Sequence, residues 1–353
     1  MSHFCLLRDP AGYTPTDKNL TANAESRAYW LDLFSRHFED TMRHALHRYG
    51  PRASQQIEEA QREFGQCLEA LRVDSEGKDA GFDVLSLCRS REKALRDNGL
   101  PDPFGHIKER ENVAAIELYE EVVRNTHAMP HEQRWLQLVR GVFAGNLFDL
   151  GSPATMHLAS ESPDFLATLD EVRARPWVVD DFDTLLSHLP ASPPPRWGKA
   201  IVLVDNAGSD FILGLLPLVR ELALAGTQIV LAANELPTLN DLTADETMGL
   251  LGGLSAMDPD LDALIVGKML SVVSTGTDTP LIDLSEVSDE LNEAAEDADL
   301  LVLEGMGRAI ESNFDASFRV DCLRLALLKD PHVAASIGGG TYDCVCKYTP
   351  IED

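Results

Sequence analysis

The chain has 353 residues, enough for about two domains of average size, and its 44% hydrophobic and 25% charged residues are ordinary globular composition. Its 58 acidic against 30 basic side chains leave a net charge of −28, which argues against a nucleic-acid binder and against docking on an anionic membrane. The sequence contains no run of about 18 apolar residues, so no membrane-spanning helix is predicted. The six cysteines form no CxxC pair, and we expect reduced, buried thiols in a cytoplasmic protein.

Residues 1–195 are predicted to form a helical domain. Apolar residues recur with a period near 3.6 in five segments, at Ser26–His47, Gln55–Leu71, Asp83–Asn98, Glu109–His127 and His131–Gly145. Ser26 is the predicted N-cap of the first helix. The stretch Gly145–Ser152 is too rich in glycine to continue the fifth helix, and the prolines of Pro190–Arg196 predict a linker.

Residues 196–353 are predicted to form an α/β domain, with a Rossmann-like, mostly parallel sheet and helices on both of its faces. Short apolar runs typical of buried strands occur at Ala200–Val204, Gln228–Ala232, Ala263–Val266, Leu300–Glu304 and Tyr342–Tyr348. Amphipathic stretches typical of helices lie between them, at Asp210–Ala225, Asp241–Ala256, Ser288–Ala295 and Asp315–Leu328. Residues 199–353 hold 27 acids and 8 bases, so an anionic substrate bound there needs a cation to offset the field.

Oxygen-bearing side chains follow the predicted strands at their carboxyl ends, where an open parallel sheet binds its ligands. Asp205 and Asn206 follow the first strand and, with Asp241, would offer three oxygen donors to a hard divalent ion such as Mg²⁺ or Mn²⁺. No histidine lies near these positions, which counts against zinc. It stays open whether Asp205 or Asp210 merely caps the following helix, and Asp241 alone is more typical of an N-cap than of a ligand.

Glycines and two cations at the same edge could meet an anion. Gly305-Met306-Gly307 matches only half of a dinucleotide-binding loop and favours a tight turn whose backbone N–H groups approach an anion. Arg308 follows that turn, and Lys347 lies on the last strand, where it could meet phosphate or simply extend to solvent. The sequence has no GxSxG elbow and no Walker A motif, which argues against the common serine hydrolases and P-loop enzymes.

Together these segments resemble the damage-control phosphatases, a family long catalogued as domain of unknown function 89. The resemblance lies in Val204–Asp210, Asn234–Pro237, Asn240-Asp241, Glu304–Arg308 and Gly338–Lys347, and upstream in Leu87–Arg89, Asp102–Phe104 and Ala144–Asp149. It covers nearly the whole chain. Within the family it is nearest to the plant stand-alone members and to the C-terminal domain of the animal pantothenate-kinase-4-like protein.

The resemblance implies a divalent-metal phosphatase that hydrolyses a small phosphomonoester directly. The metal, Mg, Mn, Co or Ni, would be held by Asp205, Asn206 and Asp241, would polarise a phosphoryl oxygen and would lower the pKa of a water. Asp241 would also orient the attacking water. A phosphoaspartate on Asp205 is less favoured, because a carboxylate bound to a metal is a poor nucleophile.

The resemblance further implies that Asn146, Arg308 and Lys347 face the substrate phosphate, and Gly305 of the Gly-Met-Gly turn is a further predicted substrate-binding residue. Arg308 and Lys347 would neutralise charge on the phosphoryl oxygens in the transition state, and Asn146 would lie on a lip of the cleft formed by the helical domain. The favoured substrate is 4′-phosphopantetheine or an oxidised form of it. The alternatives are a sugar phosphate, an S-adenosylmethionine-dependent carboxyl methyltransferase, for which the Gly-Met-Gly loop is the basis, and a non-enzymatic interaction module.

Overall fold

The N-terminal part is helical, as predicted. The computed structural model describes residues 1–15, 20–73, 82–147, 165–189 and 194–351. Five long helices come first, α1 (Ala24–Tyr49), α2 (Ser54–Val73), α3 (Val84–Asp97), α4 (Gly105–His127) and α5 (His131–Leu147), and two short ones follow, α6 (Phe165–Glu171) and α7 (Phe182–Leu186). The predicted cap of α1 is wrong by one turn: the Asn23 side chain accepts from the Ser26 N–H at 3.0 Å, so Asn23 is the N-cap.

Seven strands form one sheet, and their order across it is β1-β7-β6-β5-β2-β3-β4. They are β1 (Val179–Asp180), β2 (Lys199–Leu203), β3 (Gln228–Ala233), β4 (Leu270–Ser274), β5 (Leu300–Glu304), β6 (Asp321–Leu327) and β7 (Cys344–Thr349). Every neighbouring pair is parallel except β6 with β7, which confirms the predicted mostly parallel sheet. The chain leaves β2 towards β3 on one side, and β5 towards β6 on the other. The strand order therefore reverses between β2 and β5, where such sheets open a ligand crevice.

The helices of the C-terminal part cover both faces of this sheet. They are α8 (Leu216–Leu224), α9 (Ala244–Ser255), α10 (Pro259–Val266), α11 (Asp289–Ala295) and α12 (Pro331–Ser336). Two further turns are π-helical, Asp210–Leu215 directly before α8 and Met306–Glu311 directly after β5. Both follow central strands at the reversal of strand order, and π-helical turns are frequent at functional sites.

Two of the predicted elements are wrong. The apolar run Ala263–Val266 lies in α10, because Pro259 starts that helix and the Asp258 side chain caps it by accepting from the N–H groups of Asp260 and Leu261. The segment predicted as the helix Asp315–Leu328 holds β6 instead. All seven residues of β6 are buried, including Arg324, whose guanidinium donates to two backbone carbonyls.

The hydrophobic core lies on both faces of the sheet and crosses the predicted boundary at residue 195. Along β2, Ala200 and Val202 belong to the hydrophobic cluster that includes residues of α4 and α5, whereas Ile201 and Leu203 belong to the cluster that includes residues of α1 and α2. The sheet also takes its edge strand β1 from the part that was predicted to be helical. The division into domains 1–195 and 196–353 stays a prediction, and Pro190–Pro193 of the expected linker lie outside the described residues.

All six cysteines carry free thiols. Cys344 and Cys346 lie two apart on β7, and both pack into the same face of the sheet, as the strand period requires. Among the described residues, no helix is both long enough and apolar enough to span a membrane.

Candidate active site

Three buried carboxylates meet where the strand order reverses. Asp205 follows β2, Asp210 begins the π-helical turn after it, and Glu304 is the last residue of the neighbouring strand β5. One carboxylate oxygen of each lies within 4.8 Å of the other two. All three side chains are almost completely closed off from solvent. Such a cluster is costly to bury unless a cation or protons balance its charge.

Helix α5 brings this cluster together from the helical part of the chain. Asn146 is fully buried, and its Nδ2 donates to Asp210 Oδ1 at 2.6 Å and to Glu304. The approach requires a glycine at 145, because a Cβ there would lie 2.7 Å from the Asp210 Cα. Asn146 thus lies behind the carboxylates and orients two of them. This placement differs from the predicted contact with a substrate phosphate.

Two carboxyl groups of the cluster have raised pKa values. Burial, followed by repulsion from the Asp205 carboxylate, raises the pKa of Asp210 to about 7. Burial, followed by the charges of Asp210 and Asp205, raises the pKa of Glu304 well above its usual range. A divalent ion would reverse these effects, because it stabilises the charged form of each carboxylate.

Arg308 joins this cluster to Asp241. Its guanidinium donates from Nη1 to Asp205 and from Nη2 to Asp241 Oδ2 at 2.7 Å. Burial alone would lower the pKa of Arg308, but the two carboxylates outweigh it and raise the pKa. Asn234 Nδ2 donates to the same Asp241 oxygen at 3.2 Å. Asp205 and Asp241, two of the three predicted metal ligands, are therefore held within reach of a single guanidinium.

The third predicted ligand, Asn206, lies between the carboxylates. Its Nδ2 donates to Asp205 Oδ2 and Asp210 Oδ2, each at 2.8 Å. Its carboxamide oxygen accepts no hydrogen bond from the described part of the chain, and the residue lines a cavity. Across the cluster, the Asn146 Oδ1 atom is buried and also lacks a partner within the described ranges.

The donor set fits a hard divalent cation. It consists of carboxylate and carboxamide oxygens, with no thiolate or imidazole in the cluster, and such donors suit Mg²⁺ or Mn²⁺ rather than zinc. The orphaned oxygen of Asn146 and the raised carboxylate pKa values both indicate a site short of positive charge. Asp205 belongs to the predicted ligand set and to the carboxylate cluster alike.

The capping alternatives can now be compared with the structure. Thr243 is the N-cap of α9, and it forms a capping box with Glu246, so Asp241 does not cap that helix. The Asp205 carboxylate accepts from Arg308 and from the Asn206 side chain instead of capping a helix. Asp210 lies in the first turn of its π-helix and accepts from the Asn206 and Asn146 side chains.

The structure corrects the placement of two predicted phosphate-binding residues. The Gly305 N–H donates to the Leu325 carbonyl at 3.0 Å, so it is not free for a substrate. Glycine is required at 305 for another reason: φ is +88°, and a Cβ would collide with the Asp205 carboxylate. Lys347 lies away from the cluster, where its Nζ donates to the Phe314 carbonyl at 2.6 Å. Because β7 runs antiparallel to β6, Cys344 and not Lys347 lies beside the carboxyl end of β6.

Sequence reasoning missed the roles of Asp210, Glu304 and Lys329. Glu304 ends an otherwise apolar strand, and a buried carboxylate at that position was the available signal. Lys329 is buried directly after β6, lines the cavity and acts on the Asp210 carboxylate as a nearby positive charge. Lys329 thus lies at the edge of the sheet where Lys347 was predicted to lie.

A cavity of about 430 Å³ opens above Asp205, Asn206 and Asp241. Its opposite wall comes from the helical part, with Tyr29, Trp30 and Phe34 of α1 and residues of α3. The volume lies within the range of about 300–1,000 Å³ that is usual for small-molecule sites. One end of the cavity is therefore charged, and the other is aromatic.

Comparisons with known proteins identify the family of the chain and a solved structure with a similar fold. The profile of the damage-control phosphatase ARMT1-like domain matches residues 33–345. The chain is 39% identical to the damage-control phosphatase At2g17340 of Arabidopsis thaliana over 96% of this chain and 92% of that protein. It is 30% identical to the 4′-phosphopantetheine phosphatase of Mus musculus over 97% of this chain, but it spans only 48% of that longer protein. A solved structure, a DUF89 family protein of Pyrococcus horikoshii, superimposes with a TM-score of 0.65 at 18% identity, over 90% of this chain and 96% of that one.

Proposed function

The chain belongs to the damage-control phosphatase ARMT1-like domain family, and from this premise we propose that it hydrolyses a small phosphomonoester with the aid of a divalent metal ion. The observation that carries the proposal is the set of three buried carboxylates beside Arg308 at the reversal of strand order, of which Asp205 lines the cavity. Mg, Mn, Co and Ni are the ions to test, since the donors are hard oxygens.

The alternative in which the turn after β5 binds S-adenosylmethionine has less support. The methyltransferase alternative needs the Gly305-Met306-Gly307 turn to accommodate a cofactor. The Gly305 N–H is already bonded within the sheet, and a Cβ at Gly307 would lie 2.6 Å from the Pro280 carbonyl. Both glycines are thus accounted for by packing within the protein, which favours hydrolysis over methyl transfer.

In the proposed reaction, Asp205, Asp210 and Glu304, with the Asn206 oxygen, would hold the ion. A divalent ion there supplies positive charge to phosphoryl oxygens and makes a water more acidic. Asn146 keeps two of the carboxylates oriented, and Asn234 with Arg308 fixes Asp241. Asp241 lies on the cavity wall, where its carboxylate can orient a water towards phosphorus.

Arg308 contributes fixed positive charge beside the reacting group. Its guanidinium is almost fully buried, so solvent screens its field little. Lys329 adds a second buried cation at the same cavity. These charges would stabilise the phosphoryl oxygens as negative charge shifts towards the leaving group.

The proposed substrate is 4′-phosphopantetheine or an oxidised form of it. The support is the cavity wall opposite the carboxylates, where Tyr29, Trp30 and Phe34 offer aromatic surface to an extended, partly apolar chain. A sugar phosphate is the second candidate, and the polar side chains of Arg36 and His37 on the same cavity lining could bind its hydroxyl groups. The partners proposed are small phosphorylated metabolites, without nucleic acid or membrane. A cytoplasmic location is part of the proposal, because free thiols suit a reducing compartment.

A phosphatase screen tests the proposal. The purified protein is assayed with each of the four metals on 4′-phosphopantetheine, its S-sulfonate and a set of hexose phosphates, and Asp205→Asn is purified in parallel to measure contaminating phosphatases. We expect metal-dependent release from the pantetheine esters that Asp205→Asn lacks. Trp30→Ala should raise KM for those esters more than for hexose phosphates. A wild type no more active than Asp205→Asn on every ester would refute the proposal.

A further inference from the structure

Arg91 of α3 is a buried cation on the cavity wall that the proposed reaction has not used. It is 2% exposed and lies on the side of the cavity formed by the helical part. Arginine is seldom buried without a partner or a ligand. The way its guanidinium is held shows which of its edges remains available.

Two side chains fix one edge of that guanidinium. Nε and Nη2 of Arg91 reach Glu92 Oε1 at 2.8 and 2.7 Å, and Nη2 lies 3.5 Å from Thr238 Oγ1. Thr238 Oγ1 also donates to the same Glu92 oxygen at 2.9 Å. The guanidinium carbon lies over the Phe34 ring, 5.7 Å from the ring centre. The side chain is thus preorganised, as a recognition group requires.

The remaining nitrogen, Nη1, has no hydrogen-bond partner among the residues that the structure describes. The Nη1 atom keeps some accessibility to solvent, and Arg91 lines the cavity. An arginine with one edge fixed by a carboxylate and another edge open to a cavity is suited to bind an anionic oxygen.

The charges that line the cavity indicate which anion Arg91 would bind, namely a phosphoryl group. Asp205 and Asp241 line the cavity wall, and Arg308 is bonded to both, so that its charge is already shared. Lys329 supplies one buried positive charge to the cavity, and a cation on the helical wall would hold a phosphoryl group beside these carboxylates from a second direction. Arg91 lies close enough to Asp241 for the two charges to interact.

We propose that Arg91 is a substrate-binding residue, whose Nη1 edge donates to a phosphoryl oxygen from the wall opposite Arg308. The inference rests on the proposed phosphatase function and adds a phosphate-binding group from the helical part of the chain. It also gives Glu92 a defined task, since that carboxylate orients the guanidinium.

A purely structural role makes a different prediction. The pair of Arg91 and Glu92 holds Thr238, whose carbonyl accepts from the Asp241 N–H at 3.0 Å, and the intervening Leu239 has a strained φ of +46°. If Arg91 acts only by holding this turn, Thr238→Val should weaken phosphate binding as much as loss of Arg91 does. If Arg91 binds phosphate, Thr238→Val should leave phosphate affinity largely intact.

The experiment measures binding of inorganic phosphate to the metal-loaded full chain by calorimetry. The variants are Arg91→Met and the double variant Arg91→Met/Glu92→Met, which leaves no buried charge unpaired if the single variant fails to fold. Arg89→Met is the matched control, because Arg89 lies on the same helix but pairs with Asp283 and Glu286 at the surface. Thermal unfolding is recorded for each variant.

We expect phosphate affinity to fall at least about tenfold in the folded Arg91 variants, since a charge-assisted hydrogen bond is lost. Arg89→Met and Thr238→Val should stay within about threefold of wild type. Affinity that is retained in the double variant, or lost equally in Thr238→Val, would overturn the inference, as would a wild type that binds no phosphate. A wild type that binds phosphate through Arg91 but hydrolyses no ester would instead overturn the proposed function.

Discussion

Gly305→Ala should damage the site far more than a comparable glycine substitution elsewhere. Two effects combine at this position. The first is backbone strain, because φ is +88° and ψ is 154°, a region that is essentially restricted to glycine, where another residue loses about 1–3 kcal/mol. The second is a collision, because the new Cβ would fall on the Asp205 carboxylate.

The collision sets the magnitude. Asp205 must move, and its charge-assisted bond with Arg308 is then weakened or lost, which contributes about 1.5–3 kcal/mol. Together the two effects predict a loss of roughly 2.5–6 kcal/mol in the free energy of unfolding. Turnover should fall at least about a hundredfold, because a displacement of about 1 Å in a catalytic site has an effect of this order.

Gly338→Ala is the matched control. Gly338 has a similar φ of +78°, but nothing lies within 4 Å of its added Cβ. It should lose only the strain increment of about 1–2 kcal/mol and keep full turnover. Urea unfolding and phosphate release are measured on both variants. The explanation of Gly305 is wrong if Gly305→Ala keeps turnover within about threefold of wild type, or if both variants lose the same stability and activity.

Three further predictions concern single side chains. Asp241→Ala should abolish phosphate release, whereas Thr243→Ala should lose about 1 kcal/mol of stability and keep full turnover, because Thr243 is the N-cap of α9. Equal activity in both variants would show that Asp241 has no catalytic role. Asp210→Asn should weaken metal binding at least about tenfold by calorimetry, yet leave the melting temperature unchanged or higher, because it removes a buried and repelled charge; a clear fall in melting temperature would contradict this. Hydrogen bonds from Arg196, Tyr348 and Trp197 outweigh burial and lower the pKa of Asp321 to about 2. A carboxylate with a lowered pKa stabilises the folded state at pH values above its pKa in the unfolded chain, near 3.8. Asp321→Asn should therefore lose on the order of 2 kcal/mol of stability at pH 7, and the stability difference from wild type should shrink as the pH falls from about 4 to about 2. A stability difference that does not depend on pH would disprove the assignment.

Local patterns were sufficient for most elements of this fold. Leu300–Glu304 was predicted with the bounds that the structure shows, because a continuous apolar run between helical segments is typical of a central parallel strand. Ala263–Val266 failed because four apolar residues fit a buried helix equally well. The deciding signal was upstream, in the Asp258-Pro259 start of α10.

The site was predictable only where it depends on one strand end. Asp205, Asn206 and Asp241 lie together, as expected of residues that follow parallel strands, and their role as metal ligands stays a prediction. Lys347 was misplaced because strand direction is a tertiary property, and β7 returns antiparallel. Asp210 and Glu304 become a cluster through Asn146 of α5, and neither the spacing nor the composition of the sequence records that contact.

The central claim is that the buried carboxylates hold a divalent ion needed for phosphate release. Its most direct test is to strip the protein with EDTA, remove the chelator, and follow phosphate release from 4′-phosphopantetheine while Mg²⁺, Mn²⁺, Co²⁺ or Ni²⁺ is titrated back. We predict no release above the Asp205→Asn background in the stripped protein, and recovery that saturates with at least one of these ions. Stripped protein that releases phosphate at the full rate would contradict the claim.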